Sequence, residues 1–256
     1  DETLRALEAD VAARHRGIAG LAPVLAILGA VLLAFAAMSF VAANWQEMSK
    51  LARLALLFSS IWGTFALAGL FHTRALPAFA DAAILLACAL FGASIMLIAQ
   101  MYHMADNPPD AVLTWAAGTL LAGTALRSNP ALALAMVLAG VWSGWETMIS
   151  QVTHWPFLAA WLAVAATFAW QRWRPGLHIA GSAAAAWTIA LAFTWDKGTP
   201  SYALVAVVGL VAVAGIIIAE RSFPRFADLG LAPAALGYAM VVAFAGLLLL
   251  QLDRPR

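Results

Sequence analysis

Glu146 lies just inside the end of a long apolar stretch of this chain, one residue after Trp145 and one helical turn after Trp142. An ionisable group in that position turns toward a helix bundle or a wet cavity, because hydrocarbon offers a charge no partner. Comparable groups close other apolar stretches, in Asn44-Trp45-Gln46-Glu47, Gln100-Met101-Tyr102-His103 and Thr194-Trp195-Asp196-Lys197. Gln100 and His103 are three apart, which puts both on one face of a continuous helix. Asn44, Trp45, Gln100, Tyr102, His103, Trp145 and Glu146 are therefore the candidate ligand-binding set. The polar members would hold a ligand and the aromatic ones would wall it.

Plainer accounts exist for each. Tryptophans gather at membrane surfaces as an aromatic belt, and Asn44 can close a helix in a left-handed turn. Arg53 can reach back to Glu47 or extend to the interface. These accounts explain less well why Asn44, Gln100 and Glu146 sit at or inside the ends of apolar stretches. His103, Asp106, Asp110, Glu146 and His154 include ligands suited to zinc or manganese, but their spacing matches no metal motif, and no metal site is assigned. Gly140-Val141-Trp142-Ser143-Gly144 is not a G-x-S-x-G elbow, and P-loop and dinucleotide fingerprints are absent. No catalytic residue and no cofactor are assigned.

The elements that must position these residues follow from composition. Of 256 residues, 64% are apolar and 11% charged, and mean hydropathy is +0.88. A soluble domain is nearer half apolar and a quarter charged, so the chain reads as all-α and membrane-embedded. Apolar stretches fall at about 20–43, 51–71, 81–101, 111–126, 130–151, 156–171, 177–194, 202–219 and 229–251, nine transmembrane spans in all. The fourth and sixth are near the lower length limit. Asn107-Pro108-Pro109-Asp110, Ser128-Asn129-Pro130 and Thr199-Pro200-Ser201 read as helix starts. The net charge of +1 gives no footprint for nucleic acid, and the lone Cys88 rules out an intrachain disulfide.

Residues 1–19 are expected as a separate amphipathic surface helix on the cytoplasmic side, since Leu4, Leu7, Val11 and Ile18 recur at helical spacing opposite Arg5, Glu8, Arg14 and Arg16. Residues 20–256 are expected as one transmembrane domain. An N-terminus inside places nine basic residues on the inner side (Arg5, Arg14, Arg16, Arg74, Arg127, Arg172, Arg174, Arg221, Arg225) and five outside (Lys50, Arg53, Lys197, Arg254, Arg256). The positive-inside rule then puts the C-terminus outside. Ala26, Ala30 and Ala34, Gly140 and Gly144, and Ala239 and Ala243 form small-residue ridges expected to pack helices closely. Trp45, Tyr102, Trp145 and Trp195, separated by 57, 43 and 50 residues, suggest a weak repeat of two spans.

Phe40-Val41-Ala42-Ala43-Asn44-Trp45 with Leu51-Ala52-Arg53-Leu54-Ala55-Leu56, and then Gly92 through His103, resemble the two signatures of the 2157 domain-of-unknown-function family, uncharacterised bacterial membrane proteins. Trp115 and Trp142 also fall where such sequences carry tryptophan. The similarity is clearest over about residues 20–150. It implies a multi-pass protein of the bacterial inner membrane and supplies no activity, substrate or catalytic residue.

Three function classes fit. The first is an outward-facing polar pocket, built from the first, third and fifth spans, that binds or transports a small molecule, ion or lipid. The second is a non-catalytic scaffold subunit with membrane-protein partners or further copies of itself. The third is a membrane enzyme acting on an envelope or lipid-linked substrate, with Glu146 and His103 as acid and base. The topology is directly testable. Cysteines near Asp106, Gln151 and Lys197 should react with an impermeant thiol reagent outside intact cells, and cysteines near Arg74, Arg127 and Arg174 should not. Labelling of the Arg127 connection would reverse the orientation.

Overall fold

A computed structural model describes residues 47–103, 107–194, 202–222 and 232–252, with short helical pieces at 28–29, 32–33, 35–36, 39–40 and 43–44. The expected helix over 1–19, the Thr199-Pro200-Ser201 start, and Ala26, Ala30 and Ala34 lie outside the described residues. The described elements are all helical: α1 (Lys50–Thr73), α2 (Pro77–Met101), α3 (Pro108–Ala125), α4 (Asn129–Ser150), α5 (Phe157–Trp170), α6 (Arg174–Thr194), α7 (Tyr202–Ser222) and α8 (Ala232–Leu252). Six of them, α1, α2, α4, α6, α7 and α8, are long and apolar enough to cross a membrane. Of the nine spans expected from sequence, the first, at about 20–43, lies mostly outside the described residues, six correspond to these helices, and the fourth and sixth do not reach that standard. The fourth opens on Pro108-Pro109-Asp110, polar for a buried end, and the sixth is α5, whose 14 residues reach only about 21 Å against a core of about 30 Å.

Three connections between consecutive helices are built alike. After α1, α3 and α5 the chain enters the left-handed region at Ala75 (φ 57°), Arg127 (φ 52°) and Arg172 (φ 53°). The next amide then reaches five residues back, from Leu76 to the Phe71 carbonyl at 3.0 Å, Ser128 to Gly123 at 2.9 Å and Trp173 to Phe168 at 3.0 Å. This is the Schellman arrangement, which satisfies carbonyls that a helix end leaves open. The same residue starts the following helix, accepting from Ala80 at 3.1 Å, Leu132 at 3.1 Å and Leu177 at 3.3 Å. One residue therefore ends one helix and begins the next, and each hairpin turns within a few residues.

The chain divides into two compact units, Asp1–Met104 and Ala105–Arg256. In the first, α1 packs on α2, whose small side chains Ala80, Ala83, Ala87 and Cys88 are buried. In the second, Leu132, Ala135 and Met136 of α4 meet Val164 and Phe168 of α5 and Ala180 of α6. The Trp161 indole N–H donates to the Ala180 carbonyl at 2.8 Å, fastening α5 to α6.

The small-residue ridges divide. Ala239 and Ala243 are buried, and α8 meets α7 so closely that a Cβ on Gly209 would lie 2.3 Å from the Ala243 nitrogen, and one on Gly246 would lie 2.3 Å from the Ala206 nitrogen. Gly140 and Gly144 do not behave as expected, because a Cβ on either would meet nothing within 4 Å. Spacing alone cannot say which face of a helix is occupied. Gly209→Val and Gly246→Val should each lower the melting temperature in mild detergent, since overpacking of a tight contact costs about 1–3 kcal/mol. Gly144→Leu should leave it unchanged; equal losses at all three positions would contradict this packing.

Candidate functional site

The first unit contains five of the candidate residues, of which four are described. The Asn44 amide donates to the Phe40 carbonyl of its own helix at 2.9 Å, so its side chain is engaged locally. Gln100 is exposed in the last turn of α2. Tyr102 follows that helix, half exposed, with the Lys50 ammonium 5.3 Å from its ring centre, a contact worth about 0.5–1 kcal/mol at an exposed site. His103 adopts φ 53°. The helix ends at Met101, so Gln100 and His103 do not share a helical face, contrary to the expectation from their spacing. Trp45 lies outside the described residues.

The second unit holds Trp145, which is partly exposed, and Glu146, which is half-buried. A Glu146 carboxylate oxygen accepts a hydrogen bond from the Asn107 amide nitrogen at 3.0 Å. Asn107 occupies the N-cap position of α3, as its sequence context suggests, but its side chain makes no capping bond. It spans instead to the end of α4. The hairpin explains the pairing: Asn107 and Glu146 lie 20 and 19 residues on either side of the turn at Arg127, and so at the same level of two antiparallel helices.

His154, in the connection between α4 and α5, completes the group. Its ring meets Trp142 edge to face, with centres 4.4 Å apart and planes at 86°. Burial lowers its pKa below the ordinary imidazole value, and the nearby Glu146 charge partly opposes the shift. His154 Nδ1 and Trp142 Nε1 are both buried without a hydrogen-bond partner. A polar atom left in that state costs about 1–3 kcal/mol, which a bound partner would recover. Beside this group the Thr153 and Thr194 hydroxyls share a hydrogen bond of 2.8 Å, and Trp155 packs against Trp187 at 5.3 Å.

The sequence marks Asn107 as a cap and His154 as a conceivable metal ligand. The signal that joins Asn107 to Glu146 is hairpin register, which needs the position of the turn, and His154 joins through its ring contact with Trp142. Among the described residues no three His, Cys, Asp or Glu side chains could hold one metal ion. Asp106 lies outside them. What the group offers is a carboxylate acceptor, an indole donor, an imidazole and two aromatic faces, the components of a small polar binding site.

No curated protein and no solved structure matches the chain. A family model does, the DUF2157 family described as a predicted membrane protein, over residues 1–132. That segment contains both sequence signatures and Asn107, whereas Trp142, Glu146 and His154 follow it. With more than half of its length covered, the chain belongs to the DUF2157 family of predicted membrane proteins.

Proposed function

We propose that this is a bacterial inner-membrane protein, with its N-terminus in the cytoplasm and its C-terminus outside, that binds a small cationic molecule at an outward-facing polar site around Glu146. One observation carries the reading: a carboxylate held by Asn107 at 3.0 Å stands in a cluster with two buried ring nitrogens that lack partners. Glu146 would receive an ammonium group. The Trp142 N–H would donate to a hydroxyl or carbonyl on the same ligand, and the Trp142 and His154 rings would line it. Asn107 fixes the carboxylate and leaves its second oxygen for the ligand.

Purified protein titrated with ethanolamine, choline and putrescine, read by tryptophan fluorescence and melting temperature, tests this. At least one should bind, and Glu146→Gln should weaken it about tenfold or more, since a hydrogen bond to a charged group is worth about 1.5–3 kcal/mol. Identical responses from wild type and Glu146→Gln, or no response to any of the three, would end the proposal.

The lowered pKa of His154 gives a second outcome. The unfolded chain takes up the proton first, so this contribution to stability is complete above the ordinary value of about 6.5 and declines as pH falls toward the folded-state pKa. Melting temperature measured from pH 8 to 5 should fall more in wild type than in His154→Phe, which keeps the ring contact with Trp142. Superimposable pH curves would show that His154 is not buried as described.

A further inference from the structure

At the turn end of the second unit, the α3–α4 and α5–α6 connections both present an arginine from a left-handed position, Arg127 and Arg172. With Trp170 and Gln171 these two line a cleft of about 250 Å³. That is about eight water volumes, enough for a phosphate group and its substituents. Among the described residues no carboxylate lines it. The Arg127 guanidinium lies 5.4 Å from the Trp170 ring centre, which restricts where its charge can go. The Gln171 amide nitrogen is buried and has no hydrogen-bond partner. Two permanent positive charges and one unmatched donor call for an anionic oxygen-rich occupant.

Arginines at helix C-termini also interact favourably with the helix dipole. That effect accounts for the charges alone. It leaves the unmatched Gln171 amide unexplained, as well as the exposure of two large apolar side chains at the same turns, Trp170 at 62% and Leu126 at 50%. An indole exposed beside arginines suits the headgroup layer, where its ring lies against acyl chains and its edge against polar groups. Basic pockets between membrane helices recognise acidic headgroups in this way.

We infer that the Arg127, Gln171 and Arg172 cleft binds the phosphate of an anionic phospholipid, with Trp170 and Leu126 against its acyl chains. This site is independent of the one at Glu146. The full chain is reconstituted in nanodiscs of phosphatidylcholine with or without phosphatidylglycerol, and lipid retention is read by native mass spectrometry. Wild type should retain phosphatidylglycerol over phosphatidylcholine, and Arg127→Gly with Arg172→Gly should reduce that preference about thirtyfold, given about 1 kcal/mol for each basic residue at the surface. Glycine is the residue these backbone angles favour, so the turns persist while the charges go. Gln171→Leu should also weaken retention, whereas Arg74→Gln, which removes a charge from the turn of the first unit, should not. Absence of a phosphatidylglycerol preference in wild type would overturn the inference, as would equal retention by the folded double glycine variant or equal loss with Arg74→Gln. Inorganic phosphate raising the melting temperature in phosphatidylcholine alone, with no lipid preference, would assign the cleft to a free anion and overturn the lipid.

Discussion

Every peptide group that enters hydrocarbon must find its hydrogen-bond partner within the chain, and helix ends are where that requirement is hardest to meet. Here the short connections meet it with one device used three times. At Ala75, Arg127 and Arg172 the backbone turns left-handed, and the following residue both closes one helix and opens the next. Non-glycine residues in that region cost about 1–2 kcal/mol each. The carbonyls satisfied offset this, and the immediate return sets α1 beside α2 and α3 beside α4. Antiparallel register then decides which distant residues stand level, as it does for Asn107 and Glu146.

The same turns bear on charge. Arg74 caps α1, Arg127 and Arg172 follow α3 and α5, and Arg221 lies in the last turn of α7. Helix C-termini attract cations whether or not a membrane is present. Arginine at these turns therefore compensates the helix ends whichever side of a membrane they face. Lys50 is the contrary case. It opens α1, where the dipole disfavours a cation, and the Tyr102 ring at 5.3 Å supplies the compensating contact.

Much of the fold was legible in the sequence because apolar length and punctuation report directly on helices. The pairs Asn107-Pro108 and Asn129-Pro130 mark starts, and the two weakest spans are the two that fall short among the described residues. Helix ends without glycine were not legible. Nothing about Tyr102 or His103 announces that α2 stops at Met101, so the shared face assigned to Gln100 and His103 had no basis in the backbone. The spacing of Gly140 and Gly144 matches that of Ala239 and Ala243, yet only the alanine pair is buried against a neighbour. Of the candidate site, Glu146 and its helical neighbour Trp142 were legible from their spacing; Asn107 joined them only through the turn at Arg127, and His154 through the edge contact of its ring with Trp142.

The short helix α5 explains why polar groups gather beside it. Its neighbour α6 has 21 residues, about 31 Å, and the hydrogen bond between Thr153 and Thr194 sets the chain just before α5 level with the end of α6. The 14 residues of α5 account for about 21 Å of that distance. The remaining 10 Å or so falls to residues 154–156, a connection that is not helical. Backbone of that kind, alongside the end of a membrane helix, is tolerated where protein buries it or where it borders water. Burial of the Thr153 and Phe157 side chains supplies the first condition on either side of it. Glu146, Asn107 and the ring nitrogens of His154 and Trp142 supply what the second requires, a polar wall at the mouth of the helices.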